Sequence, residues 1–248
     1  MQLLIDTHAH IDAPELAGGR PELLADAARA GIGRLIVPGV RSADWQALLQ
    51  LVRQQDALYA APGLHPIYAE QWSEAAAEEL HELTRQPKVV AVGEIGLDGA
   101  VGPALELQEH AMREQLQIAL QANLPVLLHA RKATGRLLEI LREMEIGRRI
   151  GGVWHGFSGS LEVGQVLWRL GFKIGVGPIL LRPSARKLPQ AVVELPQEAL
   201  LLETDLPDMA ERPEALVAVA ERVAELRGCP LEEVVSFTGE NARDLFHF

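Results

Sequence analysis

Eight apolar runs recur along the chain: Leu3–Asp6, Arg34–Pro38, Leu58–Pro62, Val89–Gly93, Pro125–His129, Gly152–His155, Phe172–Val176 and Leu200–Glu203. They are continuous rather than alternating, as expected of parallel strands covered on both faces. A stretch of helical periodicity follows each run, and parallel strands need such crossovers. Eight strand–helix repeats in 248 residues match a closed eight-stranded barrel, which takes about 250 residues. The chain therefore reads as α/β, a single (β/α)8 TIM barrel, with residues 1–248 forming one domain. An open doubly wound sheet would normally carry a glycine-rich phosphate loop after its first strand. Here that place holds His8-Ala9-His10.

The helices announce themselves by punctuation. Pro21 opens the first and Gly31 ends it, the usual asymmetry of proline early and glycine late. Ser42 is placed to cap the second, which runs to about Gln55. Trp72 to Arg85, Glu106 to Gln121, Thr134 to Glu145 and Leu161 to Leu170 follow. A helix over Ser184–Glu194 is interrupted by Pro189, and Pro213 opens another that ends at Gly228. The tail from Leu231 to Phe248 adds one or two short helices, with Thr238 a cap.

Polar residues gather where the apolar runs stop. The first run leads into His8 and His10, the third into Gly63-Leu64-His65-Pro66, and the fourth into Gly93-Glu94-Ile95-Gly96-Leu97-Asp98. The fifth leads into His129-Ala130-Arg131, the sixth into His155-Gly156-Phe157-Ser158-Gly159, and the eighth into Glu203-Thr204-Asp205. In an extended chain residues i and i+2 share a face, so His8 and His10 present two imidazoles together. In a barrel the C-terminal strand ends meet at one mouth, where active sites of this fold lie. Burying so many ionisable groups without partners would cost several kcal/mol, and metal coordination offsets that cost.

The donor set narrows the chemistry. Cysteine is absent from it, which excludes a structural zinc finger or ribbon. Histidines and carboxylates too numerous for one tetrahedral ion point to two divalent ions, with Glu94 the candidate bridge. A water held between two such ions ionises near neutral pH and attacks phosphorus or a carbonyl carbon. Asp205 is placed to take its proton. A non-enzymatic metal scaffold would have no use for such a base. Asp6 and Asp98 are candidates to support the histidines from behind.

Composition bounds the partners. A net charge of −11 argues against a broad duplex-binding face but not against a phosphate pocket. From Val163 to Val193 there is no Asp or Glu, while Arg169, Lys173, Arg182, Arg186 and Lys187 are all cationic. Taken alone, such a segment reads as a solvated patch. Cys229 is the only cysteine, so no intrachain disulfide forms and a cytoplasmic location is expected. No apolar run approaches the roughly 18 residues of a membrane span, and no signal peptide is recognisable. His81, His110 and His247 read as surface or packing residues, and Trp45, Trp72, Trp154 and Trp168 as packing.

Taken in series, the motifs at His8-x-His10, Gly63–Pro66, Gly93–Asp98, His129-x-Arg131, His155–Gly159 and Glu203–Asp205 resemble the TatD family of metal-dependent hydrolases, over nearly the whole chain. Phe172–Gly177 and Thr204–Asp208 are similar to its YjjV-like branch. The resemblance implies a (β/α)8 barrel of the metallo-dependent hydrolase type and two divalent ions, zinc, magnesium or manganese. It implies hydrolysis of phosphodiesters, typically DNA trimmed from an end; a monomer without membrane association is the separate expectation for the chain. By position, His8, His10 and Asp205 would hold one ion, and His129 and His155 the other, with Glu94 between them. His65 and Arg131 would contact the scissile phosphate, and the acid-free segment becomes a phosphate-attracting rim. A carbonyl or lactone substrate is the alternative for the same chemistry. The chain departs from the family pattern in three places. Asp98–Pro103 carries no aromatic ring on which a base could stack, Gly156 stands where cysteine is frequent, and Pro207–Arg212 is short.

Overall fold

The computed structural model describes residues 3–248. In chain order its elements are β1 (Leu4–Asp6), α1 (Arg20–Arg29), β2 (Ile32–Pro38), α2 (Trp45–Gln54), β3 (Leu58–Ala61), α3 (Glu74–Leu83), β4 (Val92–Asp98) and α4 (Leu105–Ala122). There follow β5 (Val126–Arg131), α5 (Thr134–Glu143), α6 (Ile146–Arg149), β6 (Gly152–Trp154), α7 (Leu161–Leu170), β7 (Phe172–Val176), α8 (Leu188–Glu194), β8 (Leu200–Leu202), α9 (Ala215–Arg227) and α10 (Leu231–Phe246). All eight predicted strands are present. No helix among the described residues is long and apolar enough to cross a membrane.

The chain packs as two compact units. The first gathers the residues through Val37, His155–Arg169 and Lys173–His247. Here β1 pairs in parallel with β2, and β7 with β8 in the register Ile174↔Leu200, Gly175↔Leu201, Val176↔Leu202. The Thr7 N–H and hydroxyl both donate to the Leu202 carbonyl, and the Asp205 N–H donates to His8 O. These bonds set β1 beside β8, giving the order β2–β1–β8–β7. Ile174, Val176, Leu200, Leu201 and Leu202 are all buried, and each such side chain contributes about 1.5–3 kcal/mol of transfer free energy.

The second unit holds Pro38–Trp154 with Leu170–Phe172 and Phe248. Its β4 pairs with β5 and β5 with β6, all parallel, and Ala60 bridges Val89 just ahead of β4. The order is β3–β4–β5–β6. The indole of Trp45, fully buried, donates to Gly63 O at 2.9 Å and pins the segment after β3.

The structure corrects several sequence expectations. The fourth strand runs over Val92–Asp98 rather than Val89–Gly93, with all seven residues buried. The polar residues taken for its end lie within it. Ser42 does not cap α2; it lies in a 3-10 turn, Ser42–Asp44, and α2 begins at Trp45 without a side-chain cap. The cap that does form is Ser73, whose hydroxyl accepts the Ala76 N–H at 3.2 Å ahead of α3. Pro189 does not break a helix but sits in the first turn of α8, where its missing N–H leaves no bond unmade. Residues 182–187 thereby become loop. The tail is the single helix α10, and Thr238 is interior to it, its hydroxyl donating to Val234 O at 2.7 Å.

Candidate metal centre

In the first unit the site is built on the end of β1. The Asp6 carboxylate is fully buried and accepts three hydrogen bonds: from the His8 N–H, the Thr204 N–H and, at 2.6 Å, the Thr204 hydroxyl. It thus ties the segment carrying His8 to the one carrying Asp205. Asp6 supports the histidine through its backbone, not its ring. Asp205 adopts a φ of 50°, the left-handed region that Asp tolerates better than most residues. The Nε2 atoms of His8 and His10 are 3.3 Å apart, and each lies 3.7 Å from Asp205 Oδ1. His155 stacks on His8 with ring centroids 3.9 Å apart. His8, His155 and Asp205 each offer a ligand atom within 4.8 Å of the others.

Two imidazole nitrogens this close, beside a carboxylate, gather metal-ligating atoms at one place. Nitrogen with oxygen donors suits a divalent ion of the zinc or manganese class. The residues present therefore fit a metal.

Glu203 lies behind this group, fully buried. Its Oε1 accepts the Gly156 N–H at 2.5 Å and stands 4.0 Å from His155 Nδ1. A Cβ at Gly175 would collide with its other oxygen, so any larger residue there would have to displace the Glu203 carboxyl. Burial pushes the Glu203 carboxyl up to about 8 against the pull of His155 and Gly156. Burial likewise pushes Asp6 up to about 7 despite its hydrogen bonds.

In the second unit Glu94 on β4 and His129 on β5 meet, with His129 Nδ1 2.7 Å from Glu94 Oε1. Gly96 pairs with His129 across the two strands at a φ of 150°, and a Cβ there would collide with the His129 carbonyl. His129 Nε2 is 3.3 Å from Asp98 Oδ2, so each ring nitrogen faces a carboxylate, an arrangement that orients the ring. Burial raises Asp98, but the Ala100 and Val101 N–H groups and His129 outweigh it and hold the carboxyl below its ordinary value. His65 completes the group, its Nε2 3.5 Å from Glu94 Oε1. Its Nδ1 accepts the Ile67 N–H, so the neutral ring carries its proton on Nε2 as a donor. Arg131 ends β5, 57% exposed, with a guanidinium nitrogen 3.9 Å from Asp98 Oδ2.

Two positioning residues escaped the sequence reading. Gln115 Oε1 accepts the Leu64 N–H at 2.6 Å while its Nε2 donates to Leu64 O. Gln108 makes the same two-way clamp on Asp98, at 2.7 and 2.9 Å. Both are buried on α4, seven residues apart and hence on one face. That spacing of amides on an otherwise apolar face was the available signal. His81, His110 and His247 lie in or beside helices, and His110 lies 3.8 Å from Glu114.

Known proteins resemble this chain along its whole length. The sequence model of the family described as TatD related DNase matches residues 5–247. The chain is 41% identical to the metal-dependent hydrolase YjjV of Escherichia coli K12, covering 98% of this chain and 97% of that protein. It is 31% identical to the 3'-5' ssDNA/RNA exonuclease TatD of the same organism, covering 98% of each. The crystal structure of E. coli YjjV superposes with a TM-score of 0.93 at 40% identity, over 99% of this chain and 98% of that one. A TatD family hydrolase from Entamoeba histolytica, 22% identical, superposes at 0.88 over 99% and 98% and shares the fold. With a (β/α)8 architecture, clustered histidines and carboxylates at its strand ends, and this likeness along its whole length, the chain belongs to the TatD-related DNase family of metal-dependent hydrolases.

Proposed function

We propose that this protein, acting as one domain over residues 1–248, hydrolyses phosphodiester bonds of single-stranded nucleic acid, DNA foremost, from a chain end. Two divalent ions serve it, of the zinc, magnesium or manganese class. In this reading His8, His10 and Asp205 hold one ion, His129 and His155 the other, and Glu94 is shared. Such ions, when bound, activate water and neutralise charge on the reacting phosphoryl group. The rest falls to side chains. Asp205 accepts the proton of the attacking water. His65 donates from Nε2 to a phosphoryl oxygen. Arg131, exposed and planar, matches a phosphate in two-pronged fashion.

The observation that supports a metal in this reading is that His8, His155 and Asp205 each offer a ligand atom within 4.8 Å of the others. The exonucleases among the relatives support the substrate class. Metal-reconstituted protein is expected to hydrolyse both bis-p-nitrophenyl phosphate and a 3′-labelled single-stranded oligonucleotide, and to stop when chelated. Asp205→Asn is expected to lower turnover about 10²–10⁴-fold while metal content, measured by elemental analysis, is largely kept. Hydrolysis of a lactone or amide with neither phosphodiester touched would overturn the reading.

A further inference from the structure

The segment after β7 has no part in the chemistry above. Because β7 and β8 are parallel neighbours, it leaves from the same strand end as Glu203–Asp205. A Cβ at Gly177, where it starts, would lie 3.3 Å from Glu203 Cγ. Pro178 and Leu180 are buried and anchor a 3-10 turn over Pro178–Leu181. The backbone then folds on itself, Arg182 N–H to Ile179 O and Ala185 N–H to Arg182 O. Beyond the turn Leu181, Arg182, Pro183, Ser184, Arg186 and Lys187 are exposed.

The cations here lie in a stretch without acids, at the strand end that carries Glu203–Asp205. Several arginines of this acidic chain face carboxylates: Arg41 pairs with Asp44, Arg85 with Glu82, Arg136 with Glu109, Arg148 with Glu145 and Arg222 with Glu225. Among the described residues, Arg182 and Arg186 make no ion pair with an Asp or Glu, and no acid occurs between Val163 and Val193. Lys187 has one acidic neighbour, Glu162. Lys173 is committed to the Glu198 carbonyl and the Trp168 ring. Two arginines without a carboxylate partner, on an ordered loop at the catalytic end of β7, form a surface for fixed negative charge.

We propose that the loop 181–187 binds the phosphodiester backbone of the single strand being hydrolysed, Arg182 and Arg186 each engaging a phosphate and Lys187 adding to the local positive field. This rests on the phosphodiesterase reading and extends it to the polymer. From Pro178 to Leu188 there is no aromatic residue, so the base stacking that strengthens many single-strand sites is missing. Binding at the loop is accordingly indifferent to base identity.

The test is the salt dependence of affinity for a hydrolysis-resistant phosphorothioate dT strand, followed by fluorescence anisotropy with metal-loaded protein. Each phosphate contact to a single strand contributes a slope of about 0.7 in log K against log salt, or about fivefold in affinity at 0.1 M salt. R182A/R186A is expected to bind about 25-fold more weakly at that salt and to flatten the slope by about 1.4. R182K/R186K keeps the charge and is expected to keep most of the slope. A dA strand is expected to match dT. The control is R142A/R149A, which removes two other unpaired arginines, ahead of β6, and is expected to behave as wild type. An R182A/R186A protein with wild-type affinity and slope would overturn the loop's role even where bis-p-nitrophenyl phosphate is turned over. Wild-type protein inert to that ester would overturn the functional reading beneath it.

Discussion

Behind His8, His10, His155 and Asp205 in the first unit stand two carboxyls, Asp6 and Glu203, that burial pushes up to about 7 and about 8. Behind His129 in the second unit stands Asp98, held below its ordinary value by the Ala100 and Val101 N–H groups together with His129, against the opposing effect of burial. Residue types are the same and the physics differs. The first group buries its supporting carboxyls deeply enough that the proton is retained near neutral pH, so ionising them costs free energy that a bound cation would offset. In the second, backbone donors already hold the supporting carboxylate charged. A cation would therefore alter the charge balance of the first group more than that of the second.

The prediction with the largest effect acts on the second group. Asp98→Asn removes the charge that orients His129, and metal affinity is expected to fall about 10–100-fold, the usual effect of losing a partner behind a ligand. Isothermal titration with manganese measures it. Wild-type affinity in that variant would break the distinction between the two groups.

A steric change on the other side is next. Gly175→Ala drives a methyl into the Glu203 carboxyl, and overpacking of this kind costs about 1–3 kcal/mol. A lowered melting temperature, with the deficit partly recovered in a variant that also carries Glu203→Ala, is the expected result.

The third prediction concerns pH. A carboxyl raised in the folded state keeps a proton that the unfolded chain has already released. Its contribution to stability is therefore whole below the unfolded value, near 4.5 for Glu203, and is lost as pH rises through about 8. Chelated protein is expected to melt at progressively lower temperature between pH 5 and pH 8, and added divalent ion to shrink that decline. Glu203→Gln is expected to flatten it. A chelated protein equally stable at both pH values would remove the basis of the comparison.

The smallest effect is a control in the second unit. Gly135, near the start of α5, has nothing within 4 Å of a Cβ position. Gly135→Ala is expected to add about 0.4–1 kcal/mol of stability through the unfolded chain, read as a small rise in melting temperature.

Much of this was legible in the sequence, and the misses have physical causes. The apolar runs marked all eight strands because burial on both faces leaves a local imprint. They misplaced β4 because Glu94 and Asp98 are interior residues, and an apolar run stops being visible where buried polar groups begin. Ser73 was overlooked as a cap because serine signals a cap only when the chain beyond it turns helical, and Trp72 was taken for the first residue. Pro189 was read as a breaker because proline opens a helix or ends one according to where the first turn falls. Gln108 and Gln115 went unread: their spacing marks a shared helix face, but not the backbone groups at Asp98 and Leu64 that they serve.

By itself the sequence determined the alternation of strand and helix and the residue types at the strand ends, because hydrophobic periodicity and turn chemistry act over a few residues. Only the tertiary structure decided which ring nitrogen faces which carboxylate, and which carboxyl is raised or lowered. The partners responsible are distant in the chain: Asp6 meets Thr204 across 198 positions. Solvation and hydrogen bonding belong to the neighbourhood a side chain ends in, and that neighbourhood exists only once the chain has folded.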